Sequence, residues 1–361
     1  MAVGWAGQWQ ARFHAAGADG LRVEAGQQTT HFKLLPGETT RTPRILLVFW
    51  KGDGPLRGNN LLRQVVIRHY LPRRDGKLVF PPISACEIKV GEDGTYEQSH
   101  LKAMPIFARR GVEAFWGESD PAKHWYVGAF PEGTGNWTVN PVLYPHGLKP
   151  VVEAARQAGL KYSQWYEPER AAPGTQLGRE HPEWLIRKEH PDKPSFERWM
   201  LFRLDLPEAR RWLTDLVDRH LTEAGGVGWF RQDFNMGPLV YRNQNDAPDR
   251  RGITEAKYIE GLCLLWDELF SRHPGMVIDI CASGGRRIDI ETSRYGMPLW
   301  QSDMPCLMAP NPAGEHSFEP LQDVIKASPV FDVPRLERVK VDGEAGDWGE
   351  AGFRADALAG V

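Results

Sequence analysis

Four short segments carry the side chains that could do chemistry, and each reads as the end of an apolar strand running into a loop. They are WYEPER at 165–170, WFRQDFN at 229–235, DICASGGRR at 279–287 and WQSD at 300–303. Side chains alternate along a strand, so Trp229, Arg231 and Asp233 share one face, as do Asp279, Cys281 and Ser283, and also Gln301 and Asp303. An arginine two residues before an aspartate on the same face keeps that aspartate ionised, which suits Asp233 to a nucleophile or a charge stabiliser. Asp303 keeps company with Trp300, Met304 and Pro305. Desolvation there raises a carboxyl's pKa and suits it to a general acid. Two carboxyl groups pushed in opposite directions are what glycoside hydrolysis needs.

Blander accounts stand beside this one. An aspartate at a strand end often only caps the next helix or pairs with an arginine. Glu167 and Glu169 bracket Pro168 and could simply bind Arg170 and Arg179. The SGGRR stretch could form an anion nest for phosphate, although no P-loop Lys–Ser/Thr accompanies it. The chain has 14 Trp, a number that supplies flat faces for a sugar ring as readily as filling for a core.

The elements that must position these residues follow from periodicity. Residues 1–54 read as strands, in GLRVEAG, HFKLLPGE and RILLVFW, with turn signals between, and resemble the C-terminal part of a β-sandwich. Apolar spacing over 55–78 predicts a connecting helix that Pro72 ends. From 79 to 303 strands and helices alternate. Strands are predicted at ISACEIKV, GVEAFW, LKYSQWYE, GVGWFRQD, GMVIDICAS and PLWQSD, with helices at 96–110, 148–158, 207–224, 254–272 and 288–295. Strands separated by helices of this length predict a parallel sheet. With no Rossmann glycine fingerprint, the repeats favour an α/β fold of the (β/α)8 TIM type. Residues 304–361 lack a readable strand–helix unit, so the barrel is expected to be incomplete and the tail of unclear structure.

Composition excludes several classes. Of 361 residues, 44 are Lys or Arg and 47 are Asp or Glu, a net charge of −3, so no field draws the chain to nucleic acid or anionic lipid. No stretch approaches the roughly 20 apolar residues of a membrane span. Aromatics at 11% argue against disorder. The four cysteines, Cys86, Cys263, Cys281 and Cys306, show neither zinc-ligand spacing nor a disulfide framework. The N-terminus shows no signal peptide, and a cytoplasmic location is the expectation.

WYEPER followed by HPEWL at 181–185, then FRQDFN, CASGGRR and the Ser-Asp of WQSD, in this order and at strand–loop junctions, resembles the barrel of glycoside hydrolase family 36. That family comprises α-galactosidases (melibiases), with α-N-acetylgalactosaminidases and galactosyl transferases as relatives. The resemblance covers roughly residues 1–303. It implies retaining hydrolysis of terminal α-D-galactosides. The family's nucleophile in K-W-D-M-N falls on Asp233, with Arg231 in place of the usual Lys, and its acid/base in the Ser-Asp pair falls on Asp303. Trp165, Arg231, Asn235, Cys281, Gly284 and Gly285 fall on sugar-contacting positions. The family's acidic segment after the second barrel strand is replaced here by FWGESDPAKHW, where Asp120 or Glu118 stands in for it. The resemblance implies no cofactor and no metal, an α-galactoside oligosaccharide as the partner, and a homo-oligomer as a common assembly. An inactive carbohydrate-binding homologue is the alternative from another class.

Overall fold

The computed structural model describes residues 1–17, 20–52, 54–86, 94–117, 124–187, 199–225 and 228–299. Its centre is a sheet of six strands, all parallel and laid side by side in chain order. They are β1 (Ser84–Cys86), β2 (Ala114–Trp116), β3 (Lys161–Tyr166), β4 (Trp229–Gln232), β5 (Val277–Ile280) and β6 (Gly296–Met297). Four crossover helices accompany them: α1 (Tyr96–Arg109), α2 (Lys149–Gln157), α3 (Pro207–Glu223) and α4 (Ile253–Arg272). This is the curled half of a TIM-type barrel, open at β1 and β6 among the described residues.

The helices start where backbone chemistry permits. Thr95 accepts the Gln98 N–H at the head of α1, and proline opens α2 and α3, where a missing N–H costs nothing. At α4 the Asp246 carboxylate accepts from the N–H groups of Gly252 and Thr254. Gly252 has φ 95°, and a Cβ there would stand 1.9 Å from the Thr29 carbonyl, so only glycine fits.

Alternation divides the sheet residues between two environments. Phe115, Tyr162, Tyr166, Phe230, Ile278 and Ile280 turn to the helices and join Met104, Val152, Val217, Ile259 and Trp266 in the main core. The other face is the barrel interior. Register aligns Trp116, Ser163, Trp229 and Val277 in one row. Trp229, Val277 and Met297 form a small apolar cluster of their own. The next row, toward the strand ends, is Trp165, Arg231 and Asp279. The interior therefore changes from apolar to charged on approaching the ends where a barrel carries its site.

Residues 1–54 pair in three places. Ala2–Gly4 pairs with Arg44–Leu46, Trp9–Ala16 forms a hairpin with Gly20–Gln27, and His31–Phe32 pairs with Arg250–Arg251 just before α4. Of RILLVFW only Arg44–Leu46 is strand, and Phe49 is 86% exposed. The connecting helix spans Gly54–His69. A three-stranded antiparallel sheet not predicted from the sequence (Arg170–Ala171, Met200–Phe202, Leu185–Arg187) is inserted between β3 and α3.

The predicted helix at 288–295 is not there; a single turn at Thr292–Arg294 replaces it. Asp289 accepts from the N–H groups of Glu291 and Thr292, and the Thr292 hydroxyl donates to the Arg287 carbonyl. Those local bonds compete with the helical ladder. The following strand accordingly begins earlier than predicted, at Gly296–Met297, and the remainder of PLWQSD from Trp300 lies outside the described residues. No helix among the described residues is long and apolar enough to cross a membrane.

Candidate active site

Asp233 lies at the end of β4, 7% exposed, its own N–H bonded to the Tyr166 carbonyl at 2.7 Å. Its Oδ2 accepts from Asn235 Nδ2 at 2.7 Å and from Trp165 Nε1 at 3.2 Å. Its Oδ1 accepts from the Phe234 N–H at 2.8 Å and, more distantly, from the Ser283 N–H at 3.4 Å. The Cys281 thiol also favours the charged form of this carboxylate. Burial pushes the acid up, but the Arg231 charge, the thiol, the Asn235 amide and the Phe234 N–H outweigh it and hold Asp233 below the ordinary aspartate value. It is an ionised carboxylate in a nearly dry setting. Burial and the Asp233 charge push the Cys281 thiol far up, so the sulfur keeps its proton.

Arg231 reaches Asp233 only through its field. Its guanidinium lies over the Trp116 ring at 3.8 Å and donates to Asp279 Oδ2 at 2.6 Å. Strand register explains this, since Arg231 stands opposite Asp279 on β5. Asp279 also accepts from the Leu299 N–H at 2.8 Å. Burial raises the Asp279 acid against the pull of Arg231.

The WYEPER segment splits its carboxylates between two tasks. Glu167 accepts from Arg170 Nη2 at 2.6 Å and from the Asn235 N–H. Glu169 holds Arg287 with both oxygens, at 2.6 and 3.1 Å, and accepts from Gln232 Nε2 and Tyr258 OH, each at 2.7 Å. The pairing considered for Arg179 does not form: that side chain donates to the Gly174 carbonyl. Trp165 is 1% exposed and packs against His124, ring centroids 4.5 Å apart. Burial depresses the His124 imidazole to about 3, so it stays neutral.

In the CASGGRR turn, Ser283 has a left-handed backbone (φ 46°) and its hydroxyl donates to Asn235 Oδ1 at 2.9 Å. Gly284 follows with φ 79°, its carbonyl accepting from the Ala282 N–H, while the Gly285 carbonyl accepts from Ile288. Both glycines shape the turn. Of the residues singled out in the sequence, Trp165, Arg231, Asp233, Asn235 and Cys281 come together around one carboxylate. Asp303, Asp120 and Glu118 lie outside the described residues. Sequence reasoning missed Ser283, Asp279, Glu167 and Arg170 as members of the cluster. Alternation along DICAS already placed Asp279 and Ser283 on the face of Cys281. No His, Cys, Asp and Glu grouping able to hold a metal occurs among the described residues.

Six parallel strands in chain order, with helices on one face and an ionised carboxylate at the strand ends on the other, define an incomplete (β/α)-barrel among the described residues. The chain belongs to the Melibiase family, whose model matches residues 125–308, about half its length. It is 28% identical over 289 residues to alpha-galactosidase C of Emericella nidulans, covering 75% of this chain and 36% of that protein. It is 25% identical over 292 residues to alpha-galactosidase AgaA of Geobacillus stearothermophilus, covering 78% and 38%. The solved structure of a variant of that AgaA in complex with stachyose superposes with a TM-score of 0.68 at 22% identity, over 83% of this chain and 42% of that one. This last likeness establishes the fold. The chain spans well under half the length of the curated relatives it matches.

Proposed function

We propose that the chain is a retaining glycosidase acting on terminal α-D-galactosides, with Asp233 as the nucleophile and Asp303 as the acid/base. The observation that carries this reading is the state of Asp233, ionised, positioned by side-chain and backbone donors, and set at a strand end beside the flat ring of Trp165. A nucleophile must be deprotonated at working pH and fixed in line with the bond it breaks. Family membership and relatives named alpha-galactosidase support the substrate class. Relatives solved in complex with stachyose and raffinose support an oligosaccharide as the substrate.

The proposed steps balance without a cofactor. Asp233 forms a bond to the anomeric carbon as the glycosidic C–O bond breaks, and Asp303 gives its proton to the departing oxygen. Water then attacks the anomeric carbon, returning a proton to Asp303 and releasing Asp233. The test is hydrolysis of 4-nitrophenyl α-D-galactoside. The wild-type chain is expected to turn over, Asp233→Asn to fall at least about a thousandfold, and Asp303→Asn to recover on substrates with good leaving groups. Equal rates for wild type and Asp233→Asn remove Asp233 from the mechanism. Galactose binding without turnover of any α-galactoside favours a non-catalytic carbohydrate binder.

A further inference from the structure

We propose that the buried Glu167–Arg170 pair is a positioning device for Asp233 that acts through Asn235. The inference rests on the reading of Asp233 as the nucleophile. Glu167 accepts the Asn235 N–H on one oxygen and Arg170 Nη2 on the other, and Arg170 Nη1 in turn donates to the Asn235 carbonyl at 3.3 Å. Both backbone polar groups of Asn235 are thus gripped by one ion pair. The side chain of the same residue donates to Asp233 Oδ2 at 2.7 Å and accepts the Ser283 hydroxyl at 2.9 Å. Holding the backbone therefore fixes the amide, and the amide fixes the carboxylate oxygen it touches.

The arrangement is costly for a merely structural role. Glu167 is fully buried and Arg170 is 2% exposed, so both charges lose their hydration. Apolar residues of similar volume often replace a buried pair of this kind with a gain in stability. Arg170 is locked from above by Trp199, 3.6 Å from its guanidinium to the ring centroid, and flanked by Phe130 at 5.5 Å. The neighbouring Glu169–Arg287 pair shows the contrast. Its remaining bonds end on Gln232 and Tyr258, which brace β4 against α4, and it makes no bond to Asn235.

The ionised form of Glu167 is the one that accepts from both donors. Arg170, three residues further along the same segment, favours that form. Asp233, across from it at the end of β4, opposes it, and Glu169 is turned away to Arg287. Burial dominates and pushes the Glu167 carboxyl up to about 7. The grip on Asn235 therefore tightens as pH rises through neutrality, and the acid limb of activity carries Glu167, since Asp233 titrates far lower.

Two measurements on the full chain test this. The first is a kinetic double-mutant cycle with 4-nitrophenyl α-D-galactoside. Glu167→Gln keeps the shape but cannot accept from both donors. It is expected to lower kcat by about 10- to 100-fold with KM little changed, and to move the acid limb to lower pH. Added to Asn235→Ala, the same substitution is expected to cost nothing further. The second measurement needs no turnover: the Asn235 side-chain amide cross-peak in ¹H–¹⁵N spectra, followed against pH. It is expected to titrate with a midpoint near 7 in the wild type and to be flat in Glu167→Gln. Additive losses in the cycle, or a wild-type cross-peak that does not titrate near neutrality, overturn the proposal. A wild type inactive on the galactoside whose Asn235 signal still titrates refutes the glycosidase reading and leaves the positioning pair standing.

Discussion

Arg231 donates to Asp279 at 2.6 Å and leaves Asp233, two residues along its own strand, to feel only its charge. One cation thereby does two jobs. It neutralises a carboxylate that β5 buries completely, and it holds down the pKa of the carboxylate at the end of β4. The two acids it serves move in opposite directions, Asp279 up and Asp233 down.

Removing the cation should expose both debts. Arg231→Met is expected to destabilise the chain by about 3–5 kcal/mol in urea unfolding, because Asp279 is left buried and unpaired. Arg231→Met with Asp279→Leu is expected to recover most of that loss and remain impaired in turnover. A single variant as stable as wild type would contradict the pairing.

Ser283 supplies a second test. A serine at φ 46° carries a backbone cost of about 1–2 kcal/mol that glycine escapes. Ser283→Gly is expected to leave thermal stability equal or higher while lowering kcat, since the hydroxyl that steadies Asn235 is gone. Ser283→Ala is expected to lower kcat without the gain in stability. Unchanged kcat in both would detach the turn from the site.

Asp289 predicts a pH dependence of folding. Burial pushes its carboxyl to about 6, against hydrogen bonds from the Glu291 and Thr292 N–H groups that pull it down. A raised folded-state pKa contributes stability that is complete below the ordinary aspartate value and is lost as pH rises through about 6. The melting temperature is expected to slope downward between about pH 4 and 6, and Asp289→Asn is expected to flatten that part of the curve. An unaltered slope in the variant would contradict it.

The long crossover helices were legible because each carries an apolar stripe at helical spacing, as in Leu213, Val217 and Leu221 of α3. The strands of the barrel were legible as apolar runs ending in charge. The short strands Arg170–Ala171, Leu185–Arg187 and Met200–Phe202 were not, for two or three residues show no period and their pairing is decided by distant partners. The hairpin partner Trp9–Ala16 escaped in the same way: its residues are mostly exposed, so no buried face marks it.

In the site, strand alternation picks out Asp233 and places Cys281 on one face with Asp279 and Ser283, whereas Trp165 is marked only by the family resemblance. The destination of Arg231 was not legible, because it depends on the register of β4 against β5. The grip of Glu167 on Asn235 joins residues 68 apart and is set by backbone geometry alone. The sequence offers Arg170 and Arg179 as simple partners for Glu167 and Glu169, without assigning which binds which. The Glu167–Arg170 bond exists, and its consequence lies in what the pair holds.

The central claim, that Asp233 attacks the sugar, is tested most directly by trapping. The full chain would be treated with an activated fluorogalactoside whose glycosyl–enzyme intermediate turns over slowly, then digested and analysed by mass spectrometry. A single added fluorogalactosyl group on the peptide bearing Asp233, absent in Asp233→Asn, is the predicted result. Label on another carboxylate, or turnover of the reagent with no covalent adduct, would contradict it.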